Sequence, residues 1–151
     1  MIPWSIASLL PHAGDMILID EVRSHDADGL TALAVVRPGP YSMPDGSLPP
    51  WLGLELMAQA VGAWAGCQAR LAGEPVKLGF LLGTRRYECH ADAFPAGARL
   101  SIRVSRGLVD ASGMSVFECE LHDDARLLAE ARLNVYQPKD PTAFIQEESP
   151  E

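Results

Sequence analysis

Glu55 and Gln59 are the side chains of this sequence best placed to move a proton, because of the company they keep. From Trp51 to about Leu71 the only other strongly polar residues are Gln68 and Arg70. A spacing of four puts the carboxylate and the amide on one face of a helix. A carboxylate inside an apolar helix is costly unless it is paired or used. Positioned there, it can give or take a proton, and the amide can hold it in one orientation. The alternative is a Glu that emerges at the helix end and caps a neighbouring loop. The consistently apolar surroundings favour the functional reading.

The element carrying this pair begins at Pro49-Pro50, where missing N–H groups are tolerated because a helix start leaves them unpaired anyway. At roughly 20 residues it is long enough to span a bilayer. Its many Ala and Gly residues, the polar pair near one end and the lack of basic flanks argue against that. A helix apolar nearly all round is a buried helix. Gly62 and Gly66 roughly continue the Glu55–Gln59 line and let another backbone approach.

The flanking segments read as strands. Trp4 to Leu10 is a helical turn ending at Pro11. Met16–Val22 and Leu30–Val36 predict a hairpin about the turn Asp26-Ala27-Asp28-Gly29. Arg37–Pro50 is a long Pro-rich loop leading into the helix, the natural wall of a site. The helix ends near Gly73. Strands follow at Leu78–Asp92, with Gly83 marking a bulge, and at Leu100–Val109, Met114–Leu121 and Leu127–Tyr136. The fold class expected is α+β: an antiparallel sheet of five to six strands wrapped around a long central helix. One domain covers 1–137, and 138–151 reads as an acidic, flexible tail. A single curled sheet cannot cover such a helix on every side, so a dimer is expected.

Of the 151 residues, 48% are apolar, which means a globular chain with a real core. A net charge of −8 argues against nucleic acid and fits poorly with an anionic membrane surface. An acidic carrier protein would need a local basic patch, for which Arg85, Arg86, Arg99, Arg103 and Arg106 are candidates; for any one of them a solvated strand face is the simpler reading. Cys67, Cys89 and Cys119 show neither metal spacing nor a disulfide framework, and Cys67 reads as a small core residue. With no signal-peptide pattern at the start, a reducing, cytoplasmic setting is expected. No metal and no organic cofactor is implied.

Leu9-Leu10-Pro11-His12, followed by Met16-Ile17-Leu18-Ile19-Asp20-Glu21-Val22, resembles the opening of the hot-dog-fold 3-hydroxyacyl-(acyl carrier protein) dehydratases. Trp51-Leu52-Gly53-Leu54-Glu55-Leu56-Met57-Ala58-Gln59-Ala60 looks like their central helix, and Phe94-Pro95-Ala96-Gly97-Ala98-Arg99-Leu100 like the Pro- and Gly-containing turn before a strand. The likeness runs through about residues 8 to 137 and is greatest to the dehydratase-like proteins of aryl-polyene and related lipid clusters. It implies a hot-dog fold and removal of water from a 3-hydroxyacyl thioester on an acyl carrier protein or coenzyme A. In that family a loop histidine takes the α-proton, a helix carboxylate assists loss of the hydroxyl, and N–H groups at the helix start polarise the carbonyl.

The carboxylate corresponds to Glu55, with Gln59 orienting it. The histidine's place holds Tyr41 or Ser42, neither a base near neutral pH. Three readings follow. The chain is a dehydratase whose base comes from His12, His90 or a partner subunit. Or it is a catalytically silent hot-dog subunit paired with an active one. Or it is a thioesterase in which Glu55 activates water. For His12 the alternative is a loop residue bonding backbone; for His90, a strand residue facing solvent. Tyr41, Ser42 and Gly53 would bind substrate, and Leu54, Trp64 and Phe80 would wall a tunnel along the helix.

Overall fold

The computed structural model describes residues 4–9, 17–74, 80–109 and 114–136, with the backbone alone at 7, 80–82, 108 and 109. The acidic segment 138–151, the start of the expected strand at Met16, and His12 lie outside the described residues. Two helices, α1 (Ile6–Leu9) and α2 (Leu52–Leu71), accompany six strands: β1 (Glu21–Asp26), β2 (Gly29–Val35), β3 (Phe80–Cys89), β4 (Arg99–Val109), β5 (Met114–Asp123) and β6 (Arg126–Tyr136). All neighbours pair antiparallel in the order β1-β2-β4-β5-β6-β3, so β1 and β3 are the edges.

The strands supply one face of the core through their period-2 alternation. Leu100, Ile102 and Val104 of β4 are wholly buried, while Arg103 between them is exposed. Phe117, Cys119 and Leu121 of β5 and Ala129, Ala131 and Leu133 of β6 continue that face. Against it lie Leu56, Met57, Ala60, Ala63 and Cys67 of α2. Fully burying one Leu or Met contributes about 1.5–3 kcal/mol, so this layer is the main source of cohesion.

Helix α2 behaves much as its composition requires. Gly53, Leu56, Met57, Gln59, Ala60, Val61, Ala63, Trp64, Gly66, Cys67 and Ala69 are buried. Gly66 admits α1: a Cβ there would lie 2.5 Å from the Leu9 carbonyl oxygen. The uncovered side is the half-exposed stripe of Leu54, Ala58, Gly62 and Ala65. The helix stops where Gly73 takes φ 70°; Glu74 N–H reaches the Ala69 carbonyl and Gly73 N–H that of Arg70.

The first strand differs from expectation. It runs Glu21–Asp26 rather than Met16–Val22. Side chains capture the backbone of the upstream segment: Leu18 N–H donates to Gln59 Oε1 at 2.8 Å, and the Asp20 carboxylate accepts Val35 N–H at 2.7 Å. Ladder pairing therefore starts later. The β1–β2 turn is held by Asp26, whose Oδ1 accepts the N–H groups of Asp28 and Gly29 at 2.8 and 3.0 Å. The β3–β6 register shifts between Leu81 and Gly83, where the glycine had suggested a bulge.

Candidate active site

The first turn of α2 is built without a capping side chain. Trp51 occupies the N-cap position in helical conformation, and Leu52 and Gly53 donate instead to the carbonyls of Pro49 and Pro50, each at 3.1 Å. The two prolines remove two donors that would otherwise need partners. Glu55 lies in this first turn, where the helix dipole favours negative charge.

Glu55 is half-buried and Gln59 wholly buried. Gln59 Nε2 donates to Glu55 Oε1 at 3.1 Å, while its own oxygen takes the Leu18 N–H. The amide thus has no freedom to rotate without giving up a bond, so it orients the carboxylate. Leu18 and Leu56 also line a cavity of about 200 Å³, together with Ile17, Ala34, Val36 and Leu48 at its apolar side and Arg37, Tyr41 and Ser42 at its polar side. Pockets that bury a whole drug-sized ligand measure roughly 300–1,000 Å³, so this one would take only part of such a ligand. Arg37 is aimed by Asp20, whose Oδ1 it meets at 2.7 Å.

The long loop ahead of α2 is a series of tight turns. Ser42 Oγ accepts Gly39 N–H at 3.0 Å and donates to the Gly39 carbonyl at 2.9 Å. The hydroxyl is committed to this turn. Asp45 Oδ1 accepts both the hydroxyl and the N–H of Ser47, which together hold its carboxyl below the usual range. Leu48 and Phe94 exchange two backbone bonds, each 2.9 Å, and pin the loop to the turn before β4.

Tyr41 and Ser42 line the cavity with Leu18 and Leu56, whereas Glu55 and Gln59 are outside its described lining and are joined to it through the Leu18 N–H. Gly53 and Leu54 are outside the cavity's described lining. Gly53 is packed under Tyr87 and Phe94. Trp64 sits further along the helix, its indole N–H on the Asp26 carbonyl at 2.9 Å and its ring edge-on to Phe117. It closes the core there and walls no described cavity. Phe80 starts the edge strand β3, and its side chain is outside the description. His90 is exposed and meets Glu130 at 3.1 Å. Glu88, His90 and Glu130 offer three ligand-type groups within 4.8 Å. Arg86 already lies between the two carboxylates, 2.9 Å from Glu88 and 3.9 Å from Glu130, so the cluster is an ion-pair network on the sheet surface.

Three features went unread in the sequence. The Leu18 N–H, the Asp20–Arg37 pair and Tyr87 all act through partners distant in the chain, and no local pattern announces them.

One long helix packed on a six-stranded antiparallel sheet is the arrangement of a hot-dog protein. The comparisons agree. The ApeP-like family model, described as ApeP dehydratase, matches residues 4–146, and the chain belongs to that family. A chain of the dehydratase heterocomplex ApeI:P from Xenorhabdus doucetiae is 33% identical, with a TM-score of 0.86 over 97% of this chain and 99% of that one. The TT0310 protein of Thermus thermophilus is 15% identical, with a TM-score of 0.60 over 77% and 89%, and shares the fold. So does a hypothetical thioesterase protein with coenzyme A from Streptococcus pneumoniae, at 12% identity and a TM-score of 0.62 over 78% and 86%. No curated protein matches. The resemblance read from the helix motif, to hot-dog dehydratases of the aryl-polyene kind, is borne out. Among the described residues no helix is long and apolar enough to cross a membrane.

Proposed function

We propose that this protein is a dehydratase subunit that removes water from a 3-hydroxyacyl thioester carried on an acyl carrier protein or coenzyme A, working in a pair with a second hot-dog subunit. The observation that carries the reading is the Glu55–Gln59–Leu18 chain of hydrogen bonds, whose Leu18 end lines a cavity that is apolar on one side. The acyl chain enters between Leu18, Val36, Leu48 and Leu56. Glu55, held by Gln59, protonates the departing 3-hydroxyl, and water leaves as the C2–C3 double bond forms. A base takes the C2 proton, and the positive end of α2 stabilises charge that builds on the thioester oxygen.

Ser42 is committed to its turn and Tyr41 is a weak base, so the loop residues are poor substitutes for a histidine. The base is His12 or a histidine of the second subunit. Pairing is supported by the half-exposed stripe on α2, by the edge position of β3 among the described strands, and by family membership beside a relative solved as a dehydratase heterocomplex. Three free thiols fit a reducing, cytoplasmic setting.

The silent-subunit reading is favoured by one observation, the turn that consumes Ser42. Offering a 3-hydroxyacyl-carrier protein to the purified chain, alone and with a histidine-bearing hot-dog subunit, separates the two. Enoyl product that disappears with Glu55→Gln supports the proposal. Enoyl product indifferent to Glu55 makes this chain the silent partner, and free acid makes it a thioesterase.

A further inference from the structure

We infer that Tyr87 is a positioning residue for the acid chemistry: by holding the Pro50 carbonyl it sets where α2 begins and hence where Glu55 stands. The inference rests on the dehydratase reading for its catalytic consequence, though not for its structural one. Tyr87 lies on β3, an edge strand, and reaches across to the helix start. Its hydroxyl donates to the Pro50 carbonyl, which also accepts Gly53 N–H at 3.1 Å. Burial pushes the phenol's pKa well above its ordinary value, so it remains a donor at any working pH.

Gly53 is the complement of this contact. A Cβ at Gly53 would collide with the Tyr87 oxygen and stand 3.1 Å from the Phe94 ring. Phe94 is itself wholly buried and bridged to Leu48. The last residues before the helix are thus held at three points: Leu48 by the bridge, Pro50 by the phenol and Gly53 by close packing. The helix start has no capping side chain, and Trp51 at the N-cap is 69% exposed. The clamp therefore fixes the position of the first turn from its carbonyl side, where a capping side chain would act by accepting the free N–H groups. Glu55 follows Gly53 by two residues, about 3 Å along the axis, so a shift of the first turn carries the carboxylate with it. A misplacement of about 1 Å is enough to cost roughly 10²-fold in rate. Gln59 holds the carboxylate from within the helix; Tyr87 holds the helix end itself.

Tyr87→Phe removes one oxygen and keeps the ring. In the assembled enzyme kcat should fall about 10-fold or more with KM within about twofold, because substrate still enters the same cavity. Hydrogen exchange on the protein alone should show the amides of Leu54–Met57 exchanging about 10-fold faster, with Trp64–Ala69 unchanged. Unchanged exchange at the helix start overturns the inference whatever the activity. Faster exchange with unchanged kcat assigns the phenol to stability alone and also overturns it. If the wild type forms no enoyl product under any condition, the dehydratase reading fails, and exchange still decides whether the clamp exists. Gly53→Ala provides an independent variant: its effect on exchange should be smaller in the Tyr87→Phe background than in wild type, since the colliding oxygen is gone. Strictly additive effects would dissolve the pairing of Gly53 with Tyr87.

Discussion

Glu55→Gln keeps the shape of the side chain and removes its proton chemistry. Turnover of a 3-hydroxyacyl thioester should fall about 10²-fold or more, the scale of losing an acid or base group; steady-state kinetics on the paired subunits check it. Gln59 acts one step back. Gln59→Ala removes the partner of the part-buried Leu18 N–H, a loss of about 1 kcal/mol that a urea titration would read as a lower midpoint at unchanged slope. The cysteines separate by environment. Burial pushes Cys67 up to about 11 and Cys119 up to about 12, so both are protonated and sheltered at neutral pH. Cys89 is only half-buried, with its thiol donating to the Ala91 carbonyl at 3.3 Å. Iodoacetamide at neutral pH should mark Cys89 first, as peptide mass spectrometry would show; earlier labelling of Cys67 would contradict the core placement.

At the scale of elements, the contact between α1 and α2 rests on a single missing side chain. Gly66→Ala gains about 1 kcal/mol of helix propensity but places a Cβ 2.5 Å from the Leu9 carbonyl oxygen. Backbone must move to relieve it, at about 1–3 kcal/mol. The clash should win, so thermal unfolding should come earlier than in wild type. A higher melting temperature would mean that α1 docks more loosely than the close approach implies. The strand ends obey a similar competition. Asp20 and Gln59 take backbone donors away from the β1 ladder, and that is why pairing begins at Glu21.

For the whole molecule, the question is what covers the open side of α2. Leu54, Ala58, Gly62 and Ala65 stay half-exposed after the sheet and α1 have packed, and among the described residues β3 is an edge strand. Light scattering at micromolar concentration should find the chain associated, with itself or with a second hot-dog subunit when both are mixed. A stable monomer under both conditions would remove assembly from the account. With a net charge of −8, the proposed association with an acidic carrier would depend on where basic groups gather. Arg37 at the cavity is held by Asp20, and Arg86 is spent on Glu88 and Glu130.

Residues 51 to 71 alone determine a buried helix, because an apolar surface on nearly every side has no other soluble solution. The alternation around Ile102, Phe117 and Ala131 determines strands with one inward face, and Glu55 with Gln59 determines a polar pair on one helix face. These are short-range consequences of chemistry repeated at a helical or pleated period, so they are legible without a fold. The tertiary structure decided the rest. It put the Trp64 indole N–H on the Asp26 carbonyl and its ring against Phe117, tied Ser42 into a turn, and sent His90 to Glu130 on the sheet surface. It also joined Leu18 to Gln59 and Tyr87 to Pro50, contacts that span 41 and 37 positions. A backbone donor or carbonyl looks the same at every residue, so which one a buried side chain meets is settled only when distant elements have packed.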